Sequence, residues 1–278
     1  MVLDFLTSDW GRLRDGDKCA LLACYTSSTH EIFNDAHVLF KPGKMRDGWF
    51  SADNLLAQVD RAIDIFEGLT KGWAQGLFLF DNGPSHQKRT DDAISARRMV
   101  KGVYISSSQD ACLTYFPAPR KGWAHNPGSS RMRPSTLPNG KTQYFYFPED
   151  HPTMPNWFKG MEVIIWERDL WPEDGKGLPA QCPQFKCPAD RTDCCCRQLL
   201  FNQPNFCSQK SQLQEYIESR NHLCDFYPKY HCELNFIKQY WGAAKFQYRT
   251  ASRASTLKDM ETIVKECLDG ISLLQIRQ

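Results

Sequence analysis

The chain has 278 residues, a formal net charge of +2, 41% hydrophobic residues and 24% charged residues. These values are typical of a soluble globular protein with one large or two small domains. No apolar run approaches the length of a membrane span, and the first residues lack the features of a secretory signal, so we expect no membrane partner. Twelve cysteines without such a signal indicate reduced, intracellular thiols, with zinc binding as one use for them.

The first half of the chain predicts strands around one long helix. Residues 1–6 are apolar except for Asp4, and an acid within a strand is either an exposed edge residue or a metal ligand. Further strands are predicted over residues 19–25 and 36–40, and a serine-capped amphipathic helix over residues 51–68. Because the chain starts like the middle of a buried strand, we expect a region upstream of it to be missing.

A short apolar run over residues 76–80 predicts a buried strand that ends in a Gly-Pro turn. Asp81, Asn82 and His86 follow this strand directly. In α/β sheets the carboxyl ends of strands face the crevice where ligands bind. Asp81 is therefore either a cap of the turn or a functional carboxylate, and these residues alone favour neither.

A basic region follows. A polar helix is predicted over residues 87–99, and residues 100–159 are rich in Pro, Gly, Ser and aromatic residues. Between Lys88 and Lys141 ten basic residues face three acids, a net charge of +7. Basic, aromatic-bearing loops suit a nucleic-acid backbone, and a solvated insertion is the alternative.

Six cysteines crowd into residues 182–207. Zinc sites use thiolates on tight turns, and the predicted ligands of a structural zinc are Cys182, Cys187, Cys194 and Cys196. The spacing differs from that of a standard zinc ribbon. Reduced thiols in the core or at the surface are the alternative.

The C-terminal part predicts a helix over residues 208–220, a strand over residues 222–228 and a last helix over residues 256–276. Between them, residues 231–242 are predicted as a helix that carries Glu233 on an otherwise apolar face, which calls for a metal or a cation. Asp4, Asp81 and Glu233 together offer hard oxygen ligands of the kind that magnesium or manganese prefers. Two such ions support phosphodiester cleavage.

Two motifs resemble those of mariner-type DDE transposases. Residues 81–86, D-N-G-P-S-H, resemble the D-N-A-x-x-H motif of that family. Residues 233–241, E-L-N-F-I-K-Q-Y-W, resemble its [D/E]-L-N-P-I-E-x-x-W motif in register. Residues 81–99 and the Cys-rich residues 193–197 also resemble transposase-derived DDE-superfamily proteins of fungi, a likeness that covers nearly the whole chain.

The resemblance implies an α/β, RNase H-like fold, a mixed sheet with flanking helices. Residues 1–99 and 208–278 would form the catalytic core, and residues 100–207 would be a basic, Cys-rich insertion between the second and third acids. The implied activity is DNA strand cleavage and strand transfer. Asp4, Asp81 and Glu233 would bind two Mg²⁺ or Mn²⁺ ions, with Asn82 and His86 beside them orienting ligands or touching phosphate.

The chain departs from the family pattern in several places. Gly83 replaces Ala, Phe236 replaces Pro, and Lys238 replaces the second acid of the later motif. Glu233 follows Asp81 by 152 positions, far more than is usual in the family. No helix-turn-helix precedes Asp4, so a sequence-specific DNA reader is expected on the missing N-terminal region.

Three functions follow as hypotheses. The first is a DDE-type transposase or endonuclease core, active or degenerate. Its expected location is the nucleus and its expected partner is DNA, and a homodimer is one assembly that the sequence allows. The second is a non-catalytic, transposon-derived module that binds DNA or protein. The third is a zinc-organised interaction domain whose acids are incidental. If Asp4 lies far from Asp81, then Asp9 or Asp15 becomes the candidate first acid.

Overall fold

The structure is a computed structural model that describes residues 2–14, 35–102, 104–106, 114–116, 130–172 and 177–277. It is a mixed α/β structure of small sheets and helices. The chain forms two compact units: unit 1 contains Met1–Lys88 and Ser211–Gln278, and unit 2 contains Arg89–Lys210. The middle of the chain is thus a separate unit, with boundaries eleven residues earlier and three residues later than the sequence predicted.

In chain order the strands are β1 (Val2–Leu3), β2 (Leu6–Thr7), β3 (Gly11–Arg12), β4 (Val38–Leu39), β5 (Leu77–Phe80), β6 (Tyr104–Ser106), β7 (Thr114–Phe116), β8 (Ser135–Thr136), β9 (Thr142–Gln143) and β10 (Leu223–Phe226). The α-helices are α1 (Ala52–Thr70), α2 (Gly160–Trp166), α3 (Cys196–Phe201), α4 (Pro204–Cys207), α5 (Gln212–Ser219), α6 (Phe236–Thr250), α7 (Leu257–Asp269) and α8 (Leu273–Arg277). Two short 3-10 turns cover Pro183–Phe185 and Cys232–Leu234.

Every sheet among the described residues has two strands. β1 pairs with β4, β2 with β3, β6 with β7 and β8 with β9, all antiparallel. Of the strands that the structure describes, only β5 and β10 pair in parallel. The RNase H-like sheet therefore stays a prediction, while the coarser α/β class is confirmed. The predicted strand over residues 19–25 and much of the basic stretch lie outside the described residues.

Helix α1 forms as the sequence predicted. Ser51 and Asn54 make a reciprocal capping box that satisfies free N–H groups of the first turn. The helix ends at Lys71, whose backbone is left-handed with a φ of 51°. Its buried face, led by Val59 and Ile63, packs into the core of unit 1 together with β5 and α5.

The parallel pair of β5 and β10 organises unit 1. The register pairs Leu77 with Leu223 and Phe80 with Phe226. Side chains on β5 alternate between exposed and buried, so half of this apolar run faces outward. Beyond the paired residues, the Tyr227 N–H donates to the Phe80 carbonyl at 2.8 Å. The parallel pairing therefore brings the carboxyl ends of both strands to one edge.

The predicted helix over residues 87–99 is wrong, because these residues form turns. Their backbone groups have partners elsewhere in the chain. Within unit 2 the Arg133 N–H donates to the Asp92 carbonyl, and the Ile94 N–H donates to the Gln209 side chain. These tertiary hydrogen bonds replace the helical ones that the local sequence favoured.

Unit 2 has its own hydrophobic core. Met161, Ile164 and Ile165 of α2 are fully buried against Leu200 of α3 and Phe145. The Arg168 guanidinium is buried beneath them and donates to side-chain oxygens of β8, β9 and α4. Unit 2 is therefore a folded body rather than a loop-only insertion.

The C-terminal helices differ in their bounds from the prediction. A 3-10 turn holds Glu233, and α6 begins at Phe236, with Asn235 before it in an extended conformation. The sequence predicted that Glu233 and Trp241 share a helical face. They do not, because Glu233 lies before the start of α6. The predicted last helix is two helices, α7 and α8, separated at residues 270–272. Among the described residues, no helix has the length and apolarity that a bilayer crossing requires.

Candidate functional site

Asp81 lies at the carboxyl end of β5, where the parallel pair opens into a crevice. Its Oδ1 atom is buried and has no hydrogen-bond partner among the described residues. A cavity of about 390 Å³ opens beside it, lined by Asp81, Asn82, Gly83, Tyr227, Pro228, Lys229, Tyr230, His231, Asn235 and Lys238. Oδ1 is nevertheless not isolated, because the His86 imidazole lies directly beside it.

His86 and Asn82 hold the edge of this crevice. The His86 Nδ1–H donates to the Asp81 carbonyl at 2.8 Å, and Nδ1 also lies 2.6 Å from Oδ1 without hydrogen-bond geometry to it. The Asn82 amide donates to the Tyr227 carbonyl at 2.7 Å, which ties the two strand ends together. A Cβ atom at Gly83 would lie 3.2 Å from His86 Nδ1, so glycine gives the imidazole room beside Asp81.

Lys238 lies near the other oxygen of Asp81. It lies on the first turn of α6, and its Nζ is 3.8 Å from Asp81 Oδ2. This distance is too long for a hydrogen bond but within the range of an ion pair. Lys238 stands where the resembled motif has an acid. Its ammonium group is thus close to Asp81, the carboxylate that the resemblance implies as a metal ligand.

Asp4 lines a second cavity of unit 1, of about 560 Å³, which Asp81, His86 and Asn235 also line. The Asp4 side chain is fully buried, and its Oδ2 lies 2.9 Å from Arg12 Nε and 3.3 Å from His37 Nδ1. The contact with Arg12 is an ion pair without hydrogen-bond geometry. Asp4 is therefore not an exposed edge residue but the buried partner of a cation, and its role as a metal ligand stays a prediction.

Arg12 is the residue that sequence reasoning missed here. Its guanidinium is nearly buried and also pairs with Asp35 at 2.8 Å and with Asp269 of α7. β2 and β3 form the hairpin that carries Arg12 back beside Asp4. A sequence signal existed, since an arginine eight residues after a buried acid across a Gly-containing turn is a natural ion-pair partner.

Glu233 is exposed on the 3-10 turn that follows β10. Its Oε1 accepts from His231 Nδ1 at 2.8 Å. A hydrogen bond from its own backbone N–H and the contact with His231 lower the pKa of Glu233. His231, rather than Glu233, lines the crevice beside Asp81.

The structure therefore brings Asp81, Asn82 and His86 together but does not gather the three acids. Among the described residues, the three carboxylates form no group whose oxygens lie within 4.8 Å of one another. Each of the three carboxylates has side-chain neighbours of its own: Arg12 and His37 at Asp4, His86 and Lys238 at Asp81, and His231 at Glu233. The shared site for two metal ions stays a prediction.

Unit 2 contains a group of four cysteines that could bind a metal such as zinc. Cys182, Cys187, Cys194 and Cys195 have all their Sγ atoms within 4.8 Å of one another. The Sγ atoms of Cys182 and Cys194 are 3.5 Å apart, and those of Cys187 and Cys195 are 4.0 Å apart. Four thiolates at about 2.3 Å from a tetrahedral zinc are roughly 3.8 Å apart, so the sulfurs are already near that spacing.

The fourth member is Cys195, so the prediction of Cys196 is wrong. Cys195 is the N-cap of α3, and its Sγ accepts from the Gln198 N–H at 3.4 Å. The Cys196 side chain points into the core of unit 2, and its Sγ contacts the Leu178 carbonyl. Adjacent side chains at a helix start point in different directions, which decides between the two cysteines.

The acidities of these thiols follow their positions. Burial opposes ionisation of Cys195, but hydrogen bonds from the Gln198 backbone and neighbouring thiols lower its pKa overall. Burial raises the pKa of Cys196 to about 11. A hydrogen bond to Cys194, with burial, raises the pKa of Cys182 to about 12. Geometry rather than acidity selects the ligand, because Cys195 Sγ lies in the group of four sulfurs and Cys196 Sγ does not.

In comparisons with known proteins, no family model, curated protein or solved structure matches the chain. The geometry of the two sites and the motif resemblance therefore carry the functional argument.

Proposed function

We propose that unit 1 is the core of a DDE-type DNA transposase or endonuclease in which Asp81 anchors a divalent-metal site. The observation that carries this proposal is the position of the Asp81 carboxylate at the carboxyl end of β5, beside a cavity and with the His86 imidazole next to it. Ligand sites of α/β proteins form at such strand ends. The resemblance of the motifs at residues 81–86 and 233–241 supports the same assignment.

The side chains around Asp81 prepare it for this role. His86 fixes the turn after β5 through the Asp81 carbonyl and keeps its imidazole beside the carboxylate. Asn82 links the turn to Tyr227, so the crevice keeps its width. A divalent ion held by Asp81 would supply Lewis-acid stabilisation of the phosphate and a more acidic bound water.

Catalysis in this proposal requires Glu233 to exchange partners. Its exposed carboxylate lies two residues from His231 of the crevice, and its hydrogen bond to His231 is at the surface, where such pairs contribute little. Asp4 lines the larger cavity with Asp81 but remains paired with Arg12. Of the other two acids, Glu233 can therefore reach the crevice with the smaller rearrangement. Asp4 needs the larger one, because it would have to leave Arg12.

The test is nicking of supercoiled plasmid DNA by the purified, full-length chain with Mn²⁺. Asp81→Asn removes the charge of the anchoring carboxylate and is expected to reduce nicking to background. The matched control is Asp64→Asn, which changes an exposed carboxylate on α1 that lines neither cavity. Equal nicking by the wild type and Asp81→Asn would exclude Asp81 as the metal anchor.

A second candidate function is a non-catalytic DNA-binding module derived from such an enzyme. The observation that favours it is the ion pair between Lys238 and Asp81, which supplies a cation without any metal. This function predicts DNA binding that weakens steeply with salt, without nicking in Mn²⁺. Filter binding at several salt concentrations, run beside the nicking assay, separates the two functions.

For unit 2 we infer that Cys182, Cys187, Cys194 and Cys195 bind a structural zinc ion. Four sulfurs near tetrahedral spacing leave no open coordination position, which is typical of structural rather than catalytic zinc. Cys195 links the ion to the first turn of α3, whose Cys196 and Leu200 are fully buried in the core of unit 2. The ion would therefore fasten the Cys-rich loop to the helix on which that core depends.

A further inference from the structure

Lys238 lies beside Asp81, the carboxylate that would bind the metal ion in the proposed site. Its Nζ lies 3.8 Å from Asp81 Oδ2, and both side chains are about two-fifths exposed, at 39% and 41%. The other oxygen of the same carboxylate, Oδ1, is buried and lies 2.6 Å from His86 Nδ1. One carboxylate therefore has an ammonium near its outer oxygen and an imidazole beside its inner one.

The charge around this carboxylate is unusual for a cation site. Asp81 is the one acid among the described residues that line the cavity of about 390 Å³, whereas Lys229, Lys238 and His231 line it too. Magnesium and manganese sites ordinarily collect several anionic oxygens. In this crevice a lysine takes the position that a second anion would be expected to hold.

We propose that Lys238 competes with a divalent cation for the Asp81 carboxylate, so that Mg²⁺ or Mn²⁺ binds only by displacing the ammonium. The inference rests on the proposed function to the extent that Asp81 is a metal ligand. It adds that the metal affinity of this chain is set by Lys238. The lysine is a tuning residue and is assigned no contact with the substrate.

The physical basis is charge repulsion. An ion at Asp81 would lie within a few ångströms of the ammonium, and solvent at this half-exposed position screens the repulsion without removing it. Neutralising the lysine should therefore raise the cation affinity by about tenfold, and reversing its charge by about a hundredfold. Position 238 is in the first turn of α6, where an acid is also compatible with the helix dipole.

The experiment is titration of Mn²⁺ into the zinc-loaded, full-length chain, with free Mn²⁺ followed by electron paramagnetic resonance. The variants are Lys238→Gln, Lys238→Glu and the charge-conserving Lys238→Arg. The matched control is Lys245→Glu, an exposed residue of the same helix about 10 Å further along its axis. Each variant is also combined with Asp81→Asn, and circular dichroism checks that each is folded.

We expect the affinity to rise in the order wild type, Lys238→Gln, Lys238→Glu, with Lys238→Arg and Lys245→Glu close to the wild type. The gains should disappear when Asp81→Asn is added. If binding depends on Asp81 but is the same in all Lys238 variants, the competition is refuted while the metal anchor survives. If no variant binds Mn²⁺ through Asp81, both the competition and the metal-dependent function are refuted. Because binding is measured without DNA, an inactive but metal-binding protein still tests the role of Lys238.

Discussion

The cysteine cluster of unit 2 and the Asp81 crevice of unit 1 are assembled in different ways. The four cysteines come from residues 182–195, so closing the cluster orders one short stretch of chain. The three acids come from residues 4, 81 and 233, and each depends on a different part of unit 1. The local site has the spacing of a metal centre, while the non-local site does not.

The partners of the two sets of groups also differ. In the cysteine cluster the sulfurs contact one another, so the group remains ready for a shared cation. In unit 1 the carboxylates of Asp4, Asp81 and Glu233 each lie beside a cationic or imidazole side chain. Each of the three acids predicted as metal ligands thus has a separate side-chain partner within unit 1.

The largest effect that we predict concerns zinc. The wild type should contain one zinc ion per chain, and Cys195→Ala should lose it, because a tetrahedral site with three thiolates binds far more weakly. Removing the ion should unfold or strongly destabilise unit 2, since structural zinc contributes on the order of 10 kcal/mol to small metal-dependent folds. Elemental analysis and thermal unfolding with and without chelator measure both effects.

The neighbouring cysteine is the matched control for this prediction. Cys196→Ala should retain zinc. Its free energy of unfolding should fall by only about 1 kcal/mol, because the substitution leaves a small cavity in the core. Equal zinc loss in the two variants would contradict the assignment of Cys195. Disulfides Cys182–Cys194 and Cys187–Cys195 in place of zinc, detected by mass spectrometry of unreduced protein, would contradict the metal site itself.

An intermediate effect is predicted for Asp4. Asp4→Ala leaves the nearly buried Arg12 with two partners instead of three, so unfolding free energy should fall by roughly 2–3 kcal/mol. Glu233→Ala removes only a surface pair and should leave the free energy of unfolding close to that of the wild type. Urea unfolding of both variants sharpens the distinction between a structural and an available acid.

A second substitution shows whether the loss at Asp4 comes from an unpaired charge. Adding Arg12→Met to Asp4→Ala replaces the buried cation by an apolar side chain and should recover part of the lost stability. If Asp4→Ala is as stable as the wild type, Asp4 is not needed by Arg12. The acid would then be free to serve as the metal ligand that the family resemblance implies.

The sequence predicted those elements whose signals are local. The capping residue Ser51 and the apolar spacing after it gave α1, and short apolar runs closed by turns gave β5 and β10. Asp81 could be placed at the end of a strand for the same reason. That β10 would lie beside β5 could not be read from the chain, because the pairing joins residues about 146 positions apart.

The errors arose where tertiary contacts outweigh local preference. Backbone groups of residues 87–99 form hydrogen bonds with other segments of the chain, and these residues do not form a helix. Glu233 lies in the 3-10 turn at Cys232–Leu234, whereas the sequence predicted it within a helix over residues 231–242. Cys195 carried no N-cap signal in the sequence, because N-caps are usually Ser, Thr, Asp or Asn and the nearest residue of that kind is Asp193, two positions earlier.

The smallest predicted effect compares a buried thiol of unit 1 with Cys195 of unit 2. Cys224 lies on β10 opposite Phe78, and burial raises its pKa to about 12. The unfolded thiol titrates near 8.5, so the neutral thiol contributes its stability fully below that pH and loses it as the pH rises toward 12. For Cys195, whose pKa is lowered, the sign is opposite: its contribution is present at high pH and lost as the pH falls.

Cys224→Val keeps an apolar side chain of similar size but removes the titrating group. The loss of unfolding free energy between pH 7.5 and pH 10.5 should therefore be smaller in this variant than in the wild type, by less than the effect of Asp4→Ala. Urea unfolding of both proteins at the two pH values measures it. A Cys224→Val protein with the full alkaline loss would place the titrating thiol elsewhere, with Cys196 of unit 2 as the next candidate because burial raises its pKa to about 11.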